Sequence, residues 1–216
     1  MRQNLEREVI TGALGFALII LAIFQLFYPR GVALCLGIYA ICGYFIYHAS
    51  DSMMPFGNNS DAVYIDAFYL LSALMALWLG RLVLFEGRNK PASEAHLITL
   101  SVSVLVTVKL CGVFLPVLET FSSLLLIRVS PILVPLLLAI LGTMTALKTD
   151  RPMAGIFSAA WIIAVMGQLV SESALLGLSP AEPLTVNAIW SVFILHFTLL
   201  SFAGLRFVSV MTSRQK

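Results

Sequence analysis

AHLITLSVSVLVTVKLCGVFLPVLETFSSLLLIRVSPILVPLLLAILGTMTAL, running from Ala95 to Leu147, decides which solvent this chain folds in. Its only Asp, Glu, Lys or Arg residues are Lys109, Glu119 and Arg128. A helix rises about 1.5 Å per residue, so roughly 20 apolar residues cross a hydrocarbon core about 30 Å thick. The stretch is long enough to cross twice, with the polar break Glu119 to Ser122 dividing a span Ala95–Leu118 from a span Ser123–Leu147.

The pattern continues on both sides. Apolar runs cover Val9 to Tyr28, Gly31 to Ala49, Val63 to Phe85, Met153 to Leu176 and Leu184 to Val210. Breakers separate them: Pro29-Arg30, Pro55 to Asn59, Gly87 to Pro91, Thr149 to Pro152 and Gly177 to Pro183. Hydrophobic residues make up 60% of the 216 and charged residues 11%, against about 45–50% and about 25% in soluble domains. The mean hydropathy of +0.97 agrees. The expected fold is therefore all-α: a polytopic membrane protein, with a seven-transmembrane helix bundle over residues 9–210. Residues 1–8 form a short segment before it and residues 211–216 a tail, which leaves no room for a soluble catalytic domain.

Cations set the expected orientation, because short cytoplasmic loops retain Lys and Arg. Arg30, Arg81, Arg88, Lys90, Lys148, Arg151, Arg206, Arg214 and Lys216 fall on one side of the seven-span arrangement. Only Arg2 and Arg7 fall on the other, beside Glu6 and Glu8, and the loops holding Asp51 to Asp61, Glu119 and Glu182 carry no basic residue. The N-terminus is expected outside and the C-terminus inside, so residues 1–8 are extracytoplasmic and 211–216 cytoplasmic. The net charge of +2, with its basic residues at helix ends, argues against a nucleic-acid partner.

Ionisable groups at membrane depth cost several kcal/mol unless paired or hydrated, which makes each a functional candidate. They gather in the half expected to face outward: Asp66 at the start of the third span, Lys109 on the fourth, Arg128 about a turn inside the fifth, Gln168 and Glu172 on the sixth, His196 on the seventh. One reading makes these a ligand pocket open to the outside, with Lys109 and Arg128 offering positive charge to an anionic or polar ligand and Glu172 as counter-ion. The other has Arg128 and Glu172 reaching to the interface, Lys109 pairing with one carboxylate to fix helix register, and His196 packed between helices. Pro116, Pro131 and Pro135 deprive earlier carbonyls of donors and predict kinks in the fourth and fifth spans.

Enzyme chemistry finds little support, and the chain is expected not to be an enzyme. Cys111, Arg128 and His196 occur in the order used by membrane-embedded cysteine transpeptidases, without the surrounding signature. The seventh span has no lysine for a retinal Schiff base, and hydrolase and zinc-protease motifs are missing. With no second histidine at four-residue spacing, neither a metal site nor a cofactor is expected. Cys35, Cys42 and Cys111 lie in apolar runs, where thiols act as small hydrophobes.

Three stretches give the chain a family look: Thr11-Gly12-Ala13-Leu14-Gly15 leading to the turn Tyr28-Pro29-Arg30 and a second span with Tyr39, Tyr44 and Tyr47; Ala154-Gly155-Ile156-Phe157-Ser158-Ala159-Ala160-Trp161, continuing to Leu175-Leu176-Gly177-Leu178-Ser179-Pro180; and the closing run from His196 through Leu199-Leu200-Ser201-Phe202-Ala203-Gly204-Leu205-Arg206. In these the chain resembles the membrane module of the bacterial seven-transmembrane receptors with diverse intracellular signalling modules. The resemblance implies a multi-pass protein of the bacterial inner membrane that passes an extracytoplasmic stimulus to a cytoplasmic output of histidine kinase or diguanylate cyclase type. It implies as partners membrane lipid, a small ligand or an extracytoplasmic sensor domain, and a cytoplasmic signalling domain or protein, with a homodimer as a possible assembly. Arg206 would couple the last helix to that output. The alternative is a carrier or channel for a small polar solute, using Lys109, Arg128 and Glu172 as its path.

Overall fold

A computed structural model describes residues 30–51, 59–85, 93–149, 152–180 and 188–214. All its regular structure among the described residues is helical: α1 Arg30–Asp51, α2 Asn59–Phe85, α3 Ser93–Phe114, α4 Pro116–Leu124, a π-helical turn Leu125–Val129, α5 Ser130–Lys148, α6 Pro152–Leu175, α7 Ala188–Ser191 and α8 Phe193–Arg214. Four stretches are long and apolar enough to cross a membrane: Ile65–Phe85, Ala95–Phe114, Val117–Lys148 and Met153–Leu175. Gly31–Ile46 and Phe193–Gly204 are shorter apolar helices. The chain is a helical protein built for a membrane; the expected first span, Val9 to Tyr28, lies outside the described residues.

Successive long helices run antiparallel. Gly31 of α1 faces Leu82 of α2 while Phe45 stacks on Phe68. Gly80 of α2 lies against Ile98 of α3 while Asp66 bonds to Lys109. Gly142 of α5 lies against Ser158 of α6 while Arg128 reaches Glu172. Gly204 of α8 meets Val32 of α1 while His196 meets Tyr39. Between these helices lies a core in which Leu36, Leu77, Leu79, Leu84, Ile98, Leu126, Leu138, Leu141, Phe157, Trp161 and Phe197 are buried.

Close approach is achieved with small residues, the usual means in lipid, where hydrophobicity does not draw helices together. A Cβ placed on Gly142 would lie 2.9 Å from Ser158 Cβ and 3.1 Å from its Cα. Ser158 then donates to the Ala139 carbonyl at 2.9 Å and sits 2.7 Å from the Thr143 hydroxyl. Along α3 the hydroxyls of Thr99, Ser101 and Ser103 donate to carbonyls four residues back, which satisfies them on a helix with much exposed apolar surface.

The structure corrects the expected division between the fourth and fifth spans. The break falls at Leu115, in extended conformation (φ −123°, ψ 94°), and Glu119 to Ser122 are helical. Pro116 explains this. It forces the preceding residue out of the helical region and, at the first helical position, loses no bond because the N–H there would be unpaired anyway. The chain folds back so tightly that Gly112 of α3 lies directly against Ser122 of α4. Arg128 consequently sits three turns into the α4–α5 stretch, rather than one.

Within that stretch the helix widens into the π turn Leu125–Val129, just before Pro131. Ser130 N–H bonds to Leu125 O, five residues back. In that register Leu126 O would look to residue 131 for its donor, and Pro131 has none. The Ser130 hydroxyl supplies it, at 2.6 Å.

α6 ends in a glycine cap. Gly177, at φ +72°, donates to Ala174 O at 3.1 Å and Leu178 donates to Ser173 O at 2.8 Å, the paired bonds of a left-handed C-terminus.

Candidate functional site

The antiparallel order brings the start of α2, the end of α3, the start of α4, the π turn and the end of α6 to one end of the bundle. The predicted polar residues meet there, in two ion pairs. Lys109 Nζ donates to Asp66 Oδ2 at 2.7 Å, and the Ser123 hydroxyl donates to the same oxygen. Asp66 thus joins α2 to both arms of the α3–α4 hairpin. Its side chain is 3% exposed and that of Lys109 18%, so the carboxylate is sealed while the ammonium has a narrow route to the surface. Asp66 Oδ1 is buried without a partner among the described residues.

The second pair is looser. Arg128 Nη1 lies 3.4 Å from both oxygens of Glu172, and the Arg128 side chain is 54% exposed. Gln168, one turn earlier on α6, donates from Nε2 to Glu172 Oε1 at 3.1 Å. A long contact with half the guanidinium outside the fold contributes about 0–1 kcal/mol. The pair therefore orients Glu172 more than it holds α6 to the π turn. Tyr69, one turn after Asp66 on α2, lies near enough to Arg128 and Glu172 to feel both charges.

His196 belongs to a different place. It is 2% exposed; Nδ1–H donates to Ala160 O at 2.8 Å, and the Tyr39 hydroxyl donates to Nε2 at 3.1 Å. Its ring lies 4.9 Å from that of Trp161, which in turn makes edge contacts with Tyr39 and Phe157. Both ring nitrogens are occupied, so this histidine ties α1, α6 and α8 through an aromatic cluster.

Of the predicted site residues, Lys109 pairs with Asp66, Arg128 and Gln168 meet Glu172, and His196 joins neither group. Arg206 lies on α8 toward its C-terminal end. Sequence reasoning missed Ser123 as a partner of Asp66. Ser123 is hidden by a chain reversal placed at 119–122, which would put it at a helix start rather than opposite Lys109. Among the described residues no group of three His, Cys, Asp or Glu side chains could hold a metal ion.

The opposite end has another character. Arg81 lies over the Trp78 ring at 5.8 Å, and Lys148 closes α5. Arg30 begins α1, and Arg206 and Arg214 fall near the end of α8. Cations thus mark one end of the bundle and paired ionisable groups the other. Comparison with protein-family models, with curated proteins and with solved structures finds no match to this chain.

Proposed function

We propose that this chain is the membrane sensory module of a bacterial inner-membrane receptor, with seven spans, its N-terminus outside and its C-terminus in the cytoplasm. An extracytoplasmic stimulus acts on the Asp66–Lys109–Arg128–Glu172 belt and changes the packing of the bundle. α8 then carries the change past Arg206 to a cytoplasmic output domain or partner of histidine kinase or diguanylate cyclase type. A stimulus can bias two packings only by its differential affinity for them, so the belt must differ between the states.

The observation that carries the reading is the single carboxylate of Asp66, which fastens the α3–α4 hairpin to α2. α3 is held more lightly than its neighbours: 17% of its spanning window is buried, against 44%, 39% and 50% in the other three long stretches. A lightly packed element held by a polar tie suits a moving part. The cation-rich end, by the retention of positive charge in the cytoplasm, is the inner one.

The test is a fusion of a diguanylate cyclase after Lys216, reconstituted in bilayers. Lys109→Ala, which cuts the tie, is expected to change cyclase output at least severalfold, and Arg206→Ala to uncouple that change. An output indifferent to both, or a reporter at Lys216 found in the periplasm, would overturn the reading. Flux of small polar solutes through liposomes holding the chain alone would replace it with a carrier or channel.

A further inference from the structure

Asp66 is 2% exposed, yet among the described residues only one of its two oxygens has partners. Oδ2 accepts from the Lys109 ammonium and from the Ser123 hydroxyl, while Oδ1 accepts from nothing among the described residues. An unmet buried acceptor costs on the order of 1–3 kcal/mol, more when charged. A proton removes the charge that makes this cost high, without requiring space, and at Oδ1 it leaves the two contacts at Oδ2 in place at the moment it binds.

We propose that Asp66 Oδ1 is a proton-binding site whose occupation unfastens the α3–α4 hairpin from α2. A proton from hydronium in the adjoining solution bonds to Oδ1, water is released, and the pair's net charge goes from zero to +1. The neutral acid no longer compensates Lys109. An unpaired ammonium in a low-dielectric surrounding is costly, and Lys109, already 18% exposed on its side chain, moves toward water. Ser123 on a neutral carbonyl is a weaker tie than on a carboxylate.

The other titratable or charged described side chains on the elements meeting at this end do not take over the role of Lys109. Tyr44 is on α1, Tyr69 on α2 itself, Cys111 on α3 and Glu119, exposed, on α4. Arg128 of the π turn and Glu172 of α6 neutralise one another. The hairpin moves as a unit because Gly112 lies directly against Ser122, and it retains a pivot at the far end, where Ile98 packs at Gly80. The proposal rests on the sensory reading only in taking the outer solution as the proton's source.

The test is difference infrared spectroscopy of the full chain in bilayers, acidified stepwise from neutral pH until the fold is lost. Hydrogen exchange over residues 93–124 is followed in parallel. A protonated-carboxyl component is expected before unfolding, together with at least tenfold faster exchange in the hairpin. Asp51, Asp61 and Asp150 also protonate on acidification, so the Asp66 component is the label-shifted intensity, with aspartate carbon-13 labelled at its carboxyl, that the unaltered chain has and Asp66→Asn lacks. Asp66→Asn should exchange fast already at neutral pH. Should that variant fail to fold, Asp66→Glu is expected to lose the same component from the label-shifted intensity. Label-shifted intensity in either variant equal to that of the unaltered chain, or unfolding with no such component, would overturn the proposal. An infrared response without any change in a fused cyclase would leave the proton site standing and remove the sensory reading instead.

Discussion

Lys109 and Asp66, 43 residues apart in sequence, form a 2.7 Å ion pair that closes α3 onto α2. Such a pair is worth little against a well-packed apolar replacement, but breaking one side leaves the other charge buried and alone. Lys109→Met is expected to destabilise the bundle by about 3–5 kcal/mol, because it leaves the sealed Asp66 carboxylate, 3% exposed, without its counter-charge. Lys109→Met with Asp66→Leu should recover most of that loss. Reversible unfolding in mixed micelles measures both, and a double variant as weak as the sum of the singles would show that the two side chains do not act as a pair.

Gly142 is fixed by its neighbour's backbone. Its missing Cβ would meet Ser158 Cα at 3.1 Å and N at 3.2 Å, atoms that cannot rotate aside. Gly142→Ala should therefore force α5 and α6 apart, at a cost of about 1–3 kcal/mol. Gly155, on the same pair of helices, has nothing within 4 Å of the equivalent position. Gly155→Ala should be neutral or stabilising, by at most about 1 kcal/mol from helix propensity. Equal losses for the two would mean that helix approach is not what Gly142 provides.

The two glycines also show where a sequence is legible. Small residues within apolar runs signal close packing in lipid, but which of them touches a neighbour depends on helix rotation, which the runs here do not fix. The second, third and sixth spans follow from apolar length alone, and α1, α2 and α6 lie within a few residues of them. The fourth and fifth do not, because Leu115 is as apolar as the helices it separates; the one local signal is Pro116, which reads as a kink as readily as a start. The gathering of Asp66, Lys109, Arg128 and Glu172 at one end is readable from alternation of direction. Ser123 joining Asp66 is not, since the chain reverses at Leu115 and the polar break Glu119 to Ser122 conceals that reversal.

Tyr39 and His196 should behave as one unit. Tyr39→Phe removes the donor to Nε2 and leaves a buried acceptor unpaired, a loss of about 1–3 kcal/mol. His196→Phe should lose the bonds to Tyr39 and Ala160 while keeping the edge contact with Trp161. In the double variant the Tyr39 contribution should vanish, giving a coupling energy equal to the Tyr39→Phe loss, about 1–3 kcal/mol, in a thermodynamic cycle. Additive losses would show that the 3.1 Å contact carries no energy of its own.

Ser130 and Pro131 make a linked prediction. The π turn leaves Leu126 O dependent on the Ser130 hydroxyl, because Pro131 has no N–H to offer. Ser130→Ala should orphan that buried carbonyl and cost about 1–3 kcal/mol. Pro131→Ala alone should cost little, since it adds a donor in the register the turn already has. Combining the two should restore most of what Ser130→Ala loses, with the new N–H replacing the hydroxyl. A further consequence separates this from simple propensity. If removing the proline instead let the segment rewind into an ordinary helix, Arg128 would rotate about the axis by roughly 100°, one residue's turn, and leave Glu172. Spin labels at positions 128 and 172 would then report a wider separation in Pro131→Ala than in the otherwise unaltered chain. An unchanged separation, with the stability lost in Ser130→Ala regained in the double variant, is what the bonding at Leu126 requires.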